Sequence, residues 1–378
     1  MKVALVHELL TMKGGAERVL RVLADMFPNA PIYTLLYDEK KLGDWFPRER
    51  VRTSNQQPAT SNPLPSSVKW NHHLYFSRFP AAVEAWDFSA FDLVISSSSA
   101  FVHGIITNGK PKHIALINSP ARYLWDRTHD VLERASHGML GPLKRAYLEH
   151  VFHKLRIWDC ESAARADILL AASKEVQRRI ELYWRRESTV LYPPIDDFWI
   201  NGKTAQPSKP RNPANYFIVV STLVPYKRID LAITACSNLG IKLKIVGEGP
   251  DRSRLQKLAS PTVEFLGYRP MEELRELYAN AAATIVPGDE DFNLVALESM
   301  ACGTPVIAFA SGGPLETVIE GTTGTFFREP TAASLERVIK GFDRQTFCGD
   351  ACRERSLEFS TVEYKRKLQG HIDALMQR

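Results

Sequence analysis

The stretch Pro287-Gly288-Asp289-Glu290-Asp291-Phe292-Asn293-Leu294-Val295-Ala296-Leu297-Glu298-Ser299-Met300-Ala301-Cys302-Gly303-Thr304-Pro305-Val306-Ile307 concentrates side chains that could do chemistry. Its pattern predicts strand, loop, helix, glycine stop and strand. Glu290 and Glu298 stand eight positions apart. The first falls in the loop and the second one to two turns inside the helix, so both can face one ligand approaching the helix N-terminus. The first turn of a helix offers free backbone N–H groups and the positive end of the dipole, which suits a phosphate. A carboxylate can accept hydrogen bonds from vicinal sugar hydroxyls. Spacing alone fits equally an ordinary amphipathic helix with a solvated glutamate, since acidic residues are common at helix starts.

Two glycine turns add to this. Val246-Gly247-Glu248-Gly249-Pro250 follows an apolar run and predicts a tight turn between strand and helix. It is no dinucleotide fingerprint, because Pro250 follows the second glycine and Arg252 stands where a third would be. Lys13-Gly14-Gly15-Ala16 follows the run Val3–Val6, and its glycines allow close backbone approach to a ligand or simply a turn. Metal ligation finds little support. The five cysteines are scattered with no CxxC pair, and His150 and His153 lack further ligands in sequence reach. Such scattered thiols suit a reducing cytoplasm.

The elements that must position these residues alternate between short apolar runs and amphipathic ones, the α/β pattern. Strands are expected at Val3–Val6, Ile32–Leu36, Leu93–Ile95, His113–Ile117 and Ile168–Ala171, with a helix over Ala16–Met26. The proline-rich stretch Leu191–Asn215 predicts a linker, and a loop is expected at Pro58–Pro65. A second series starts with strand Tyr216–Ser221 and includes strands at Leu243–Val246, Val263–Phe265, Ala283–Val286 and Pro305–Phe309. The division is then a first domain over 1–192, a linker over 193–214, a second domain over 215–358 and a C-terminal helix over 359–378 that can pack back on the first domain. A chain of 378 residues suits two such domains. Apolar residues make up 44% and charged residues 24%, which argues against a disordered or membrane-embedded protein. A net charge of +5 is too mild for the positive stripe of a nucleic-acid binder and suits an anionic ligand. No stretch of about 18 apolar residues could span a bilayer. The segment Pro142–Trp158 predicts a basic amphipathic helix, with Lys144, Arg145, Lys154 and Arg156 beside Leu143, Tyr147, Leu148 and Val151. It suits a membrane surface or a core helix with a solvated basic face.

The 287–307 stretch resembles the family-4 retaining glycosyltransferases of the GT-B fold. Their mark is a pair of glutamates separated by seven residues and a following Gly-x-Pro-Val-Ile, matched here by Glu290, Glu298 and Gly303-Thr304-Pro305-Val306-Ile307. The resemblance implies two Rossmann-like doubly wound domains facing a cleft. It places Glu290 on donor-sugar hydroxyls and Glu298 on the nucleotide ribose. Asn293 stands where the family usually has glycine, and the amides of Asn293 and Leu294 remain available to a diphosphate. In Ser221-Thr222-Leu223-Val224-Pro225-Tyr226-Lys227-Arg228, Lys227 matches the lysine that binds donor phosphates, Thr222 replaces an arginine, and Arg228 stands beside Lys227. Gly247 and Gly249 match the family's Gly-x-Gly turn, and Phe265-Leu266-Gly267-Tyr268 the segment that reads the nucleobase. Gly14 and Gly15 fall in the opening loop. Asn118-Ser119-Pro120-Ala121-Arg122-Tyr123-Leu124-Trp125-Asp126 is similar to a segment of bacterial polysaccharide and O-antigen mannosyltransferases, with Asn118 where a histidine usually contacts the donor sugar.

What the resemblance implies is a hexosyltransferase that retains anomeric configuration. Its donor would be a nucleotide diphospho-sugar, with a lean toward GDP-mannose, and its acceptor a glycan or lipid-linked glycan in polysaccharide or lipopolysaccharide assembly. Glu290, Lys227 and Asn118 would be catalytic. No cofactor or metal is expected, although Asp289-Glu290-Asp291 mimics an Asp-x-Asp metal motif. The expected location is cytoplasmic, with room for peripheral contact at the inner face of the cell membrane. Two other readings are a nucleotide-sugar binding protein without turnover and a dinucleotide-dependent oxidoreductase.

Overall fold

The apolar runs pair side by side and in parallel. The computed structural model describes residues 1–54, 75–201 and 216–377. The chain divides into two units, Met1–Leu191 with Lys365–Arg378, and Tyr192–Tyr364. The first holds β1 (Val3–Leu10), β2 (Ile32–Tyr37), β3 (Val51–Thr53), β4 (Leu93–Ser98), β5 (Lys112–Ile117), β6 (Ile168–Ala171) and β7 (Thr189–Val190), in the order β3-β2-β1-β4-β5-β6-β7. The second holds β8 (Tyr216–Val220), β9 (Lys242–Val246), β10 (Val263–Gly267), β11 (Thr284–Val286), β12 (Val306–Phe309) and β13 (Gly324–Phe327), in the order β10-β9-β8-β11-β12-β13. Each sheet therefore reverses its strand order once, between β1 and β4 and between β8 and β11. Loops leaving the strand C-termini there diverge to opposite faces and open a crevice, the place where such sheets take ligands.

Helices cover both faces, so the strands are buried on both sides and consist of near-continuous apolar residues. In β8, Phe217 and Val219 enter one core and Ile218 the other. The helix Gly15–Met26 buries Val19, Leu20, Leu23 and Ala24, one stripe at helical spacing. The expected strands all form, and several run longer. β1 extends through His7 and Glu8, and β4 through Ser96–Ser98, because polar side chains at these C-terminal ends find partners at the sheet rim. The short edge strands β3 and β7 carry too little apolar pattern to be read in advance.

The linker expected over 193–214 is not a spacer in its described part. Ile195 and Trp199 are buried in the second unit's core. Ile195 N–H donates to the Phe359 carbonyl at 2.8 Å, and Thr361 Oγ1 donates to the Ile195 carbonyl at 3.2 Å. The prolines of 202–215 lie outside the described residues, as does the expected loop at Pro58–Pro65. The C-terminal helix spans Thr361–Met376.

A polar group of unusual depth sits in the first unit. Asp159, fully buried, accepts hydrogen bonds from the indoles of Trp125 (2.8 Å) and Trp184 (2.6 Å), while its Oδ1 lies 3.5 Å from His103 Nε2. His103 stacks on Trp184, with ring centroids 4.5 Å apart. Burial pushes the Asp159 carboxyl up to about 7 against the pull of both indoles, and pulls His103 and His113 down to about 3. The signs oppose. The neutral histidines contribute stability that is present above pH 6.5 and lost as pH falls toward 3; Asp159 contributes stability that is present below its unfolded value near 3.8 and lost as pH rises toward 7. Asp159→Asn keeps an acceptor for both indoles and removes the second trend. Urea unfolding from about pH 4 to 8 should then show the variant level with wild type at the acid end and more stable at the alkaline end, by on the order of a few kcal/mol. A constant offset between the two profiles would contradict this account.

Candidate functional site

Lys227 and Glu290 come from the two loops that flank the reversal in the second sheet. After β8 the chain makes a single 3-10 turn, Pro225–Lys227, before the helix Ile229–Leu239. After β11 it runs through Pro287–Asn293 into the helix Leu294–Ala301. Lys227 Nζ donates to Glu290 Oε2 at 2.5 Å, and the two side chains are only 22% and 14% exposed. Burial works against the lysine's charge, but Glu290, helped by Tyr226 and Asp291, holds its pKa above the usual lysine value. Lys227 is therefore a cation at neutral pH.

Glycines set this approach. A Cβ on Gly288 would stand 2.9 Å from the Lys227 carbonyl oxygen and 3.0 Å from its Cα, so the two loop backbones touch only because Gly288 has no side chain. On the other side Glu290 pairs with Gly312 in a parallel bridge, and the Gly313 N–H donates to the Glu290 carbonyl at 2.8 Å. A Cβ on Gly312 would meet the Glu290 oxygen at 2.2 Å, and one on Gly313 the Phe292 Cα at 2.3 Å. Ser311 Oγ donates to Asp289 Oδ1 at 2.8 Å. Gly288 and Ser311–Gly313 thus hold the Glu290 segment and were not singled out from the sequence. The signal available was a Ser-Gly-Gly run one residue beyond a predicted strand.

Asn293 occupies a left-handed backbone conformation (φ 77°, ψ 82°) and caps the helix, its Oδ1 accepting from the Ala296 N–H at 3.0 Å. The amides of Leu294 and Val295 precede Ala296 in the first turn, where a helix has no acceptor of its own to offer. Glu298 is buried in the second turn and accepts from the Tyr278 hydroxyl at 3.1 Å. The glycine turn also has steric causes. Gly247 has φ 128°, and a Cβ there would meet the Ser221 carbonyl oxygen at 1.9 Å; one on Gly249 would meet that of Leu223 at 2.2 Å. The loops after β8 and β9 are laced by Leu223 N–H to the Glu248 carbonyl (2.9 Å) and Asp251 N–H to that of Leu223 (3.0 Å). Gly267 has φ 71° and ends β10, and the next residue, Tyr268, is 72% exposed. Thr222 is exposed in the loop after β8. Arg228 adopts φ 50° and turns its guanidinium to Asp230, 3.3 Å away, so this side chain is engaged with a carboxylate and not held beside Lys227 as a second free cation.

The remaining expected residues lie in the first unit. Gly14 precedes the helix Gly15–Met26 with φ −100°, so no left-handed backbone is required there. Its N–H donates to Glu17 Oε2 at 3.1 Å, so that amide is engaged at the start of its own helix. Gly15 opens the helix itself. Asn118 follows β5, and its side-chain amide donates to the hydroxyls of Ser97 (3.2 Å) and Ser99 (3.3 Å). Among the described residues no group of three or more His, Cys, Asp or Glu could hold a metal ion.

Residues 202–344 match the family described as Glycosyl transferases group 1. That match covers most of the second unit. An uncharacterized glycosyltransferase of Methanocaldococcus jannaschii is 24% identical over 208 residues, 53% of this chain and 57% of that protein. A GDP-mannose-dependent alpha-mannosyltransferase of Mycobacterium tuberculosis is 40% identical over 106 residues, 28% of each chain. The chain thus matches little more than half the length of the first of these relatives and less of the second. Among solved structures, Anabaena HepE in complex with UDP superposes with a TM-score of 0.71 at 16% identity, covering 99% of this chain and 100% of that one. The fold is therefore GT-B, two α/β Rossmann-like domains, as the resemblance implied.

Asn293 gives the second unit a stability test. Asn293→Ala loses the cap and keeps a conformation that alanine tolerates poorly, so it should cost about 1–3 kcal/mol. Asn293→Gly loses the side-chain cap but adopts the left-handed conformation freely, and should stay within about 1 kcal/mol of wild type. Urea midpoints for the two variants in the same position decide the matter: equal losses would mean that the cap alone matters.

Proposed function

We propose that this chain is a retaining glycosyltransferase that moves a hexose from a nucleotide diphospho-sugar to a hydroxyl of a growing glycan. The observation that carries the reading is the Lys227–Glu290 pair at the strand-order reversal, beside the N-terminus of the helix Leu294–Ala301. A diphosphate leaving group needs a cation and oriented N–H groups where its charge develops. Lys227 supplies the first and the amides of Leu294 and Val295 the second. Glu290 exchanges its lysine contact for sugar hydroxyls and orients the ring, and Glu298 takes the ribose. In the step itself the bond from C1 to the diphosphate oxygen breaks ahead of attack, giving an oxocarbenium-like sugar. The acceptor oxygen bonds C1 from the same face, and its proton passes to the leaving phosphate oxygen. Asn118 contacts the sugar as a neutral hydrogen-bonding group. Such catalysis is electrostatic and positional and does not require a metal.

The donor is a GDP-sugar, with mannose as the hexose. The mannosyltransferase named above supports this choice; the UDP complex of HepE speaks only for a nucleotide at this fold. Polysaccharide or lipopolysaccharide assembly is the proposed setting, at the inner face of a membrane. The helix Gly141–Ser162 favours a peripheral contact there. Apart from Gly141 at its start, its buried residues, Val151, Phe152, Leu155, Asp159 and Ser162, lie in the later turns, while Leu143, Lys144 and Tyr147 in the first turns are exposed. No described helix is long and apolar enough to cross a membrane.

Thermal shift against UDP-, GDP- and ADP-sugars should single out one donor base, because a ligand that binds the native state raises the melting point. With that donor, NMR of the product should show retained anomeric configuration. Lys227→Ala should weaken nucleoside diphosphate binding about 10–100-fold, the worth of a charge-assisted hydrogen bond. Glu290→Ala should lower kcat by about 100-fold or more. Donor binding with no transfer to any acceptor would leave a binding protein in place of an enzyme.

A further inference from the structure

The first unit also has a carboxylate at its strand-order reversal, and it is spent differently. Glu8 sits near the C-terminal end of β1, one residue beyond the pair His7–Ser97 that joins β1 to β4. Its Oε1 accepts from the backbone N–H groups of Ser99 (3.1 Å), Ala100 (2.5 Å) and Phe101, with that of Val102 at 3.4 Å, and from Ser98 Oγ at 3.2 Å. Successive N–H groups converging on one point form a concavity for an anion, and here the anion is supplied by the chain itself. Without it, these dipoles would point at one another, and the turn after β4 would have no reason to keep this shape.

Asn118 hangs on that turn. Its backbone N–H donates to the Ser98 carbonyl at 2.8 Å, and its side-chain amide to Ser97 Oγ and Ser99 Oγ. Ser98 Oγ lies between Glu8 and the buried His103, whose N–H donates to it at 3.2 Å. Ser97 and Ser99 thus turn their hydroxyls to Asn118, while the Ser98 hydroxyl and the Ser99 N–H face Glu8. We propose that Glu8 is a positioning residue for sugar transfer: its carboxylate fixes the Ser98–Val102 segment, whose Ser98 carbonyl and Ser99 hydroxyl hold Asn118. This rests on the role proposed above for Asn118. Ionised glutamate is specified because several donors share one oxygen, and charge-assisted bonds are about twice as strong as neutral ones. Glutamine offers an uncharged oxygen and an NH2 group that cannot accept.

The test is a double-mutant cycle on transfer by the full chain, using the donor that wild type prefers among UDP-, GDP- and ADP-sugars. Glu8→Gln should lower kcat about tenfold or more and leave the donor KM within about twofold. Asn118→Ala should lower kcat by a comparable factor. The combined variant should fall within about twofold of Asn118→Ala alone, because Glu8 then has nothing left to position. Factors that multiply would mean a general structural role and would overturn the proposal. Ser97→Ala with Ser99→Ala removes the hydroxyls under Asn118 and keeps the Glu8 cage. It should repeat the kcat loss while hydrogen exchange of the 99–102 amides stays slow, whereas Glu8→Gln should speed that exchange. Should Glu8→Gln fail to fold, Glu8→Asp, which keeps the charge but draws it back from the amides, takes its place in the cycle: full kcat there overturns the proposal, and a loss that vanishes in the Asn118→Ala background upholds it. The two readings fail differently. No turnover by wild type, or turnover indifferent to Glu290→Ala, removes the enzyme and this proposal together. Turnover that needs Glu290 but not Glu8 removes the positioning role alone.

Discussion

A lysine and a glutamate held together out of most of the solvent are the constraint around which the second unit is organised. Taking Lys227 and Glu290 partly out of water costs desolvation for each, and only a close partner offsets it. Neither side chain is fixed by its own element. The pair exists because β8 and β11 are neighbours in the sheet while their following helices diverge. It is tight because Gly288 lets one loop lie directly on the other. It is aimed because Gly312 and Gly313 strap the Glu290 backbone from the loop after β12. An arrangement of this kind is poised for exchange. On the proposed function an arriving phosphate replaces Glu290 on the lysine and frees the carboxylate for hydroxyls; in the structure itself the ion pair leaves neither charge buried without a partner.

The two sheets put the same topology to different uses. Each reverses strand order once, and each places a glutamate at that rim. In the first unit the glutamate is consumed by backbone amides and shapes a turn. In the second it meets a lysine at the end of a methylene stem. Backbone donors held by the fold give rigidity; a lysine at the end of its methylene chain gives exchange. This contrast separates a carboxylate that orders a loop from one suited to touch a substrate, although the two residues look alike in sequence.

Much of this was legible in the amino-acid sequence alone. Parallel strands buried on both faces leave long apolar runs, so the order of elements and the glycine turn at Gly247 and Gly249 could be read directly. The Glu290–Glu298 spacing and Lys227 pointed to one end of the second sheet for the same reason, since loops after parallel strands gather there. What escaped was contact between segments, and between side chains whose backbone conformation has no local mark. Nothing local marks Gly288 as the point where a second backbone touches, and nothing in the residues around Arg228 announces the left-handed turn that engages it with Asp230. Gly14 looked free for a ligand because its competitor, Glu17, becomes a cap only once the helix has formed. Ile195 and Trp199 sat among prolines that suggested a spacer, yet two large apolar side chains were enough to pull the segment into the core.

Asn293 shows how a departure from a family pattern is absorbed. The position needs a left-handed backbone, which glycine adopts freely and asparagine tolerates better than most residues. Asparagine then adds something glycine cannot: its carbonyl caps the Ala296 amide. The cap has a consequence for the ligand. An anion at this helix start meets one amide fewer, because Oδ1 already sits on the third. With Thr222 in place of an arginine and Arg228 turned to Asp230, the positive charge near that helix start rests more heavily on Lys227 than the family pattern implies. On the proposed function, a site with one dominant cation would draw its affinity for phosphate from a single side chain. Its glycine-built backbone is what keeps that side chain within reach, so the steric demands at Gly288 and the electrostatic demand on Lys227 are two sides of one requirement.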